Sequence, residues 1–306
     1  MIKKIFVVIL NYNGCKNTVE CIKSFENVDI PEGHKLEILI VDNASSDNSI
    51  KTFKKDFPKI PIVENKKNLG YSGGNNTGIS YALSHQADYI IVLNNDTLVT
   101  KSFIAELLEG LLVYRADVAC PKIYFEKGFE FHKDDYKKED LGKVFWFAGA
   151  IMDWKNVIGL HRGVDEVDVG QYNNEVAIEG ITGACFLAKS EVFQKIGLFD
   201  DKFFLYYEDA DLSVRIKNAG FKIVLAPKSV IYHKNAGSTG GSGSKLQDYF
   251  ITRNRLIFGL RYAPLRSRVA LVRESIKFLL KGREWQRKGV LDFYLKKLGK
   301  GSYPIS

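Results

Sequence analysis

Runs of apolar residues alternate with amphipathic segments along the first hundred residues of the chain. Ile5 to Leu10 is a continuous, mostly β-branched run, as expected of a strand covered on both faces. The next segment, "TVECIKSFENV", has Val19, Ile22 and Phe25 at helical spacing. The alternation continues with "LEILIVD", "SIKTFKKDF", "IPIVENKKN", "NTGISYALSHQ" and "DYIIVLNND". Strands and helices in this order predict a parallel α/β sheet with right-handed crossovers.

Polar clusters follow the carboxyl ends of the predicted strands. They are Asn11-Tyr12-Asn13, Asp42-Asn43, the segment 68–76 and Asn94-Asn95-Asp96. The clearest example is "IIVLNNDTLV", in which four apolar residues run into two amides and a carboxylate. Because ligands of parallel α/β sheets lie beyond the carboxyl ends of the strands, we expect these clusters to converge on one rim.

The composition is that of an ordinary globular protein. The chain has 306 residues, of which 45% are hydrophobic and 26% charged, enough for an extensive core. No apolar run approaches the ~20 residues of a membrane span, and the N-terminal apolar run is too short for a signal peptide. The four cysteines have neither metal spacing nor a disulfide pattern. We therefore expect reduced thiols and a cytoplasmic location.

The net charge of +8 is concentrated at the C-terminal end. Residues 265–306 contain eleven Lys and Arg against three Asp and Glu, an excess equal to the net charge of the whole chain. A local basic surface favours anionic lipid or phosphate, and we expect no nucleic-acid partner. In this segment, Val269, Val272, Ile276, Leu279 and Leu280 form an apolar stripe amid cations. Either a helix packed on the body or an interfacial helix on an anionic membrane accounts for it.

Asp96 is the first candidate for chemistry. A turn explains an isolated acid at a strand end, but a lone carboxylate beside amides also suits Mg²⁺ or Mn²⁺ bridging phosphates. Asp42, which ends the second strand, suits acceptance of a base N–H or a ribose hydroxyl. His233 ends another apolar stretch, and it is either structural or a metal ligand or phosphate donor at the site edge.

Two further motifs bear on the site. "YYEDADLSVRIKNAG" predicts the start of a helix in which Asp211 pairs with Arg215 one turn later. Glu208 and Asp209 lack such a partner and follow the aromatic run "FFLYY", so they are candidates for a partly desolvated general base. "NLGYSGGNNTG" matches neither the dinucleotide fingerprint nor a P-loop, and it predicts a loop whose backbone can approach a ligand closely.

Taken together, the motifs resemble a known family. They occur in the order "VVILNYNG", "IVDNASSDNS", "NLGYSGGNNTG", "LNND", "ITGACFLAKSEVFQKIGLFDDKFFLYYEDADLSVRIKNAG", "IYHKNAGS" and "YFITRNRLIF". Over residues 4–262 this set resembles the inverting, nucleotide-sugar-dependent glycosyltransferases of family 2, in particular the rhamnosyltransferase-like branch. The resemblance implies an α/β fold of GT-A type, with a mostly parallel nucleotide-binding sheet flanked by helices and a helical C-terminal extension.

The resemblance also divides the chain into parts. Residues 1–99 would form the nucleotide-sugar-binding half, and residues 100–240 the acceptor-binding and catalytic half of the same domain. Residues 241–306 would form a flexible loop and a basic helical extension, because residues 237–245 are almost all Gly and Ser.

The same resemblance assigns the site residues. Those expected to contact the donor are Asn11, Tyr12, Asn13, Asp42, Asn68, Gly73, Asn76, Asn95 and Arg253. Asp209 would be the catalytic base. Asp96 would be the last acid of the family's D-x-D motif, and with His233 it would bind Mn²⁺ or Mg²⁺. The motif reads Asn-Asn-Asp in this chain, so one carboxylate is missing.

The expected reaction moves a sugar from a nucleotide-diphosphate sugar, dTDP-rhamnose or a UDP-hexose, to a hydroxyl of a glycan or lipid-linked acceptor. It would proceed by one metal-assisted displacement with inversion. The alternative is a sugar-phosphate nucleotidyltransferase, for which "NYNGCKN" offers only Lys16 near the first strand. Peripheral contact with the anionic inner face of the cell membrane and a homodimer through the C-terminal helices both stay open.

Overall fold

The structure is a computed structural model that describes residues 2–174, 176–234 and 243–304. Its strands are β1 (Lys3–Asn11), β2 (His34–Asp42), β3 (Ile62–Glu64), β4 (Tyr89–Asn94), β5 (Thr97–Val99), β6 (Val118–Phe125), β7 (Phe145–Phe147), β8 (Ala150–Asp153), β9 (Ile158–His161), β10 (Cys185–Lys189) and β11 (Ile223–His233). Its helices are α1 (Cys15–Lys23), α2 (Ser49–Asp56), α3 (Gly70–Ser84), α4 (Phe103–Val113), α5 (Ser190–Ile196), α6 (Glu208–Asn218), α7 (Lys245–Tyr262), α8 (Leu265–Lys281) and α9 (Glu284–Tyr294). The charged stretch at 126–143 is irregular except for a short 3₁₀ helix, Lys133–Asp135.

The first four strands form the parallel arrangement that the sequence predicts. β1 pairs in parallel with β2 and β4, and β2 pairs in parallel with β3. Ile5 to Ile9 are fully buried, as the continuous apolar run of β1 indicates. Three of the cysteines are buried and one is half-buried, and all four are free thiols.

Later strands extend the same sheet. β10 lies between β4 and β6 and is antiparallel to both, whereas β11 is parallel to β6 and antiparallel to β5. The order is β3-β2-β1-β4-β10-β6-β11-β5, with β7 paired to β6. β8 and β9 form a separate two-stranded ribbon. The α/β class is confirmed, and residues on both sides of position 99 contribute to one hydrophobic core.

The prediction of a loop at "NLGYSGGNNTG" is wrong, because α3 already begins at Gly70. Gly78 faces the sheet, where an added Cβ would lie 2.3 Å from Val8 Cγ1 and 2.9 Å from Val41 Cγ2. At Gly74 it would lie 2.5 Å from Leu10 Cδ1. These glycines therefore let the helix backbone pack closely on β1 and β2, rather than on a ligand.

The C-terminal extension is helical, as expected. α7, α8 and α9 contact one another and form a second core that includes Val157, Phe203, Phe258, Leu271 and Val290. Of the predicted flexible Gly/Ser loop, residues 237–242 lie outside the described part of the chain. None of the helices in the described ranges is long and apolar enough to cross a membrane.

Candidate functional site

The side chains at the ends of β1, β2 and β4 form one hydrogen-bonded network. Asn11 pairs in register with Asp42, and its Nδ2 donates to Asp42 Oδ1 at 2.8 Å and to Ser45 Oγ at 3.0 Å. Asn95 Nδ2 donates to Thr18 Oγ1 at 2.9 Å, and Thr18 Oγ1 donates to Asn11 Oδ1 at 2.8 Å. The expected convergence of the strand ends is therefore confirmed for Asn11, Asp42 and Asn95.

The network itself buries two of the predicted donor residues. Asn11 is fully buried and Asp42 is 2% exposed, with Asp42 Oδ2 accepting the N–H of Ser45 at 2.9 Å. Asn13 is exposed in the left-handed region at φ 50°, and its Oδ1 accepts a backbone N–H at 2.8 Å. Tyr12 is half-buried. Tyr12 and Asn13 are therefore accessible at this rim, while Asn11 and Asp42 hold the loop after β2.

The two predicted metal ligands come together where β4 and β11 end. Asp96 Oδ1 lies 3.0 Å from His233 Nε2, and the carbonyl of Asp96 accepts the N–H of Lys234 at 2.9 Å. His233 is 4% exposed, and its Nδ1 has no hydrogen-bond partner. Asp96 and His233 are called the metal-ligand pair below. Over the ranges that the structure describes, no three His, Cys, Asp or Glu residues gather into a metal site.

The geometry of the metal-ligand pair fits one divalent ion. The Asp96 oxygen and the His233 nitrogen are hydrogen-bonded at 3.0 Å, and adjacent ligands at about 2.1 Å from an octahedral ion are also about 3 Å apart, so an ion could replace this hydrogen bond with little movement. A carboxylate oxygen with an imidazole nitrogen suits Mn²⁺. Ions of this class leave their other positions to water and to substrate phosphates. Two protein ligands are therefore sufficient if a diphosphate supplies the rest.

Asp209 lies in the first turn of α6, on the wall of a cavity of about 380 Å³. Its Oδ2 accepts the N–H of Gly183 at 3.2 Å, and its Oδ1 accepts the N–H of the next residue at 2.8 Å. Burial raises the pKa of Asp209 above its ordinary value, although both N–H groups lower it. The neighbouring carbonyl, that of Ala184, accepts the N–H of Asn94 at 2.9 Å. Two hydrogen bonds thus connect Asp209 to the strand end that carries Asp96.

The cavity beside Asp209 is mainly apolar and aromatic, with a few polar groups. Its walls include Met152, Trp154, Ile181, Tyr206, Tyr207 and Ile251. Its polar lining includes Glu179, Lys217 and His161. Burial lowers the pKa of His161 to about 4, so its ring is neutral at pH 7. Aromatic walls with isolated polar groups are typical of sites for small organic ligands, and here the carboxylate of Asp209 lies on the cavity wall.

The loop before α6 is strained, and a side chain of α7 supports it. Phe204, Tyr206 and Tyr207 have φ values of 66°, 67° and 72°, in the left-handed region that side chains disfavour. Such residues cost about 1 kcal/mol or more each and persist only where their surroundings hold them. Asn254 of α7 does so, because its Nδ2 lies 2.8 Å from each of three carbonyl oxygens in the loop 203–207.

Arg253, expected on the donor side, is fully buried behind the same loop. Its Nη2 donates to the carbonyl of Phe203 at 3.1 Å, and its Nε donates to Asn254 Oδ1 at 3.0 Å. The guanidinium also packs over the rings of Tyr249 and Phe250. This placement corrects the expectation of diphosphate contact, since no part of Arg253 reaches the surface. Its contacts support Asn254 and the loop.

Asn68, Gly73 and Asn76 line a separate shallow groove along α3. Asn68 Oδ1 accepts the N–H two residues later at 2.8 Å, at the start of α3. Asn76 Nδ2 donates to the carbonyl of Phe199 at 2.9 Å and its Oδ1 accepts the N–H of Phe199 at 2.9 Å. The described residues that line this groove do not include the metal-ligand pair. These three donor candidates are therefore not gathered with the metal-ligand pair.

Two parts of the site were not anticipated. Gly183 holds Asp209 through a backbone N–H, which has no sequence signal. Trp146 lies between the cavity at Asp209 and the metal-ligand pair. Its ring centroid is 4.5 Å from that of His161 and 4.4 Å from that of His233. The family resemblance pairs Asn254 with Arg253 at the diphosphate, whereas the structure places its side chain against the loop 203–207.

Comparison with known proteins gives a consistent result. Residues 6–167 match the family model "Glycosyl transferase family 2", and residues 161–259 match "Glycosyltransferase like family 2". The first match covers more than half of the chain. The low-salt glycan biosynthesis hexosyltransferase Agl10 of Haloferax volcanii is 24% identical over 258 residues, which are 84% of this chain and 76% of that protein.

A second relative is the N-acetylglucosaminyl-diphospho-decaprenol L-rhamnosyltransferase of Mycobacterium tuberculosis. It is 25% identical over 231 residues, which cover 67% of this chain and 68% of that protein. Among solved structures, the mannosyltransferase PcManGT from Pyrobaculum calidifontis, in complex with GDP-Man and Mn²⁺, covers 98% of this chain and 76% of its own. Its TM-score is 0.54 at 14% identity, which supports the GT-A fold.

Proposed function

The chain belongs to glycosyl transferase family 2, and we propose that it transfers a sugar from a nucleotide-diphosphate sugar to a hydroxyl of a glycan or lipid-linked acceptor, with inversion. Hexosyl and rhamnosyl transferase relatives support dTDP-rhamnose or a UDP-hexose as the donor class. The observation that carries the proposal is the carboxylate of Asp209 on a cavity wall, two hydrogen bonds from the strand end that carries Asp96.

The donor would bind across the strand-end rim. Tyr12 and Asn13 would contact the base, and the buried Asn11 and Asp42, together with the half-buried Asn95, would keep that surface in shape. Asn68, Gly73 and Asn76 would act indirectly, by fixing the start of α3 beside the segment around Phe199.

Asp96 and His233 would hold Mn²⁺ or Mg²⁺ together with the donor diphosphate. When bound, such an ion neutralises the charge that develops on the leaving nucleotide diphosphate. The Mn²⁺ in the complex of the Pyrobaculum mannosyltransferase supports this choice of ion. The imidazole of His233, 3.0 Å from Asp96, would then replace the carboxylate that the Asn-Asn-Asp motif lacks.

Asp209 would accept the proton of the acceptor hydroxyl as that oxygen attacks the anomeric carbon. Its raised pKa brings it closer to the operating pH, which suits a general base. With acceptor bound, the apolar walls would limit the access of water that could hydrolyse the donor. A single displacement inverts the anomeric centre and requires no covalent enzyme intermediate.

The enzyme would encounter its acceptor at the inner face of the cell membrane. The name of the mycobacterial relative specifies a decaprenol-linked diphosphate acceptor, and a peripheral position of this enzyme would give it access to such a molecule. Alternatively, the surface of the C-terminal helices would form a homodimer interface instead of a membrane contact.

The proposal is tested by release of nucleoside diphosphate from a panel of nucleotide sugars with an acceptor extract. Asp209→Asn should lower kcat by about 10³-fold, with donor binding unchanged. Asp96→Ala should instead weaken metal-dependent donor binding. Wild-type turnover in Asp209→Asn would contradict the proposal. Pyrophosphate release from a sugar phosphate and a nucleoside triphosphate would favour the nucleotidyltransferase instead.

A further inference from the structure

One face of α8 is apolar and exposed to solvent. Its residues are Leu265, Val269, Val272, Ile276 and Leu280, with exposed fractions from 37% to 76%. At about 100° per residue they fall within an arc of about 80°. The opposite face is packed, with Leu271 and Ser275 buried against the second core. Leu279, which the sequence placed in the stripe, is half-buried against that core. α8 is therefore apolar on its inner side and along a narrow outer stripe.

Exposed cations lie along one edge of this stripe. Arg266, Arg273, Lys277 and Lys281 occupy the neighbouring arc of about 80°. The one acid in the sequence of α8 is Glu274, and it pairs with Arg255 at 2.7 Å. An apolar stripe bordered by Lys and Arg is the arrangement of a helix that lies in a membrane interface.

The same helix adjoins the wall of the cavity at Asp209. Ser267 Oγ donates to the carbonyl of Trp154 at 2.8 Å, and Trp154 lines that cavity. Arg255 donates to the carbonyl of Asn156 at 2.6 Å. Lys155, which lies between Trp154 and Asn156 in the sequence, lines an open groove together with residues of α8. The basic edge of α8 thus continues onto the turn between β8 and β9, beside the proposed acceptor site.

We propose that the exposed face of α8 docks on an anionic membrane surface, with the stripe at the boundary of headgroups and acyl chains and the cations on the lipid phosphates. Charge complementarity favours this occupant. A second copy of the chain would bring the same cations together across a two-fold interface, and the single acid of α8, Glu274, is already paired with Arg255. Docking would bring a lipid-linked acceptor to Asp209, and in this respect the inference rests on the proposed function.

Vesicle sedimentation of the full chain tests the docking surface. Wild type should sediment with vesicles of phosphatidylcholine and phosphatidylglycerol and not with phosphatidylcholine alone. Val272→Glu/Ile276→Glu should abolish binding. Arg273→Gln/Lys277→Gln should lower the partition coefficient about 25-fold, at about five-fold for each cation. The matched control is Leu112→Glu/Val113→Glu, two residues at the end of α4 that are 74% and 61% exposed, and it should leave binding nearly unchanged.

Thermal shift with a pyrimidine nucleoside diphosphate and light scattering on the same proteins separate the outcomes. Lost vesicle binding in the stripe variant with an intact nucleotide shift supports docking. Wild type that shows the nucleotide shift but binds no anionic vesicles overturns docking alone. Vesicle binding through the stripe without any nucleotide shift supports docking and overturns the proposed function. A stripe variant that converts a dimer to a monomer and still binds vesicles shows an interface between copies and overturns docking.

Discussion

Removing the side chain of Asn254 should detach the loop before α6 from its support. Its Nδ2 lies 2.8 Å from three carbonyl oxygens but has only two hydrogens. Each hydrogen contributes about 1 kcal/mol to the stability of the loop. Its Oδ1 accepts the charged Nε of Arg253 at 3.0 Å, a bond worth about 2 kcal/mol. The total of about 4 kcal/mol is similar to the strain of the three left-handed residues, at roughly 1 kcal/mol each. We therefore expect the loop to relax to ordinary φ values in Asn254→Ala.

Relaxation of this loop should move Asp209 with little effect on donor binding. Because a displacement of about 1 Å at a catalytic group can lower the rate about 10²-fold, kcat should fall by that factor. KM for the donor should stay close to wild type, since Asp96 follows β4 and His233 ends β11, and neither belongs to this loop. Steady-state kinetics with both substrates varied, together with denaturant unfolding, provides the measurement.

A control separates lost stability from lost positioning. Ser229 is buried and donates from Oγ to the carbonyl of Phe103 at 2.9 Å, away from the loop. Ser229→Ala should lower the free energy of unfolding and leave kcat unchanged. If Asn254→Ala is less stable than wild type but retains wild-type kcat, the loop does not position Asp209 and the reasoning is refuted.

Three more predictions concern single groups. Because burial raises the pKa of Asp209, the acid limb of kcat/KM should fall at a higher pH than for an ordinary aspartate, and a limb at about pH 4 would argue against Asp209 as the base. Burial also raises the pKa of Glu208 well above its ordinary value, so the folded state keeps a proton that the unfolded state releases, and this contribution to stability is lost as pH rises. Glu208→Gln should thus raise Tm by a few degrees at about pH 8 and by almost nothing near pH 4, and an equal difference at both values would exclude this origin. Gly78→Ala should cost about 1–3 kcal/mol, because its Cβ would lie 2.3 Å from Val8 Cγ1; urea unfolding of this variant against Gly159→Ala, whose Cβ would meet nothing within 4 Å, measures the difference, and equal stabilities would show that α3 shifts freely.

The parts of the site that depend on local rules could be predicted from sequence. Asn11, Asp42 and Asn95 meet because strand ends of a parallel sheet converge at one edge. The aromatic run before two acids without a helical partner pointed to Glu208 and Asp209 as candidates, and the family resemblance chose Asp209. The pairing of Asp211 with Arg215 is confirmed at 2.8 Å, as their helical spacing indicated.

The rest depended on contacts between distant parts of the chain. The apolar run of β10 gives no sign that it inserts antiparallel between β4 and β6. Glycines permit close approach of a backbone to a ligand or to a sheet, and packing alone shows that Gly78 faces the sheet. The burial of Arg253 was hidden for the same reason, since its partners in the loop precede it by about fifty residues.

The measurement that tests the central claim most directly is a thermal-shift panel of nucleoside diphosphates and nucleotide sugars, with and without Mn²⁺, on wild type and Asp96→Ala. Ligands that bind the folded state stabilise it, by about 2.7 kcal/mol at 100 times Kd. Uridine or thymidine ligands should raise the Tm of wild type, Mn²⁺ should increase the shift, and Asp96→Ala should lose that increase. No shift with any ligand, or an equal effect of Mn²⁺ on both proteins, would contradict a nucleotide-sugar site organised around Asp96.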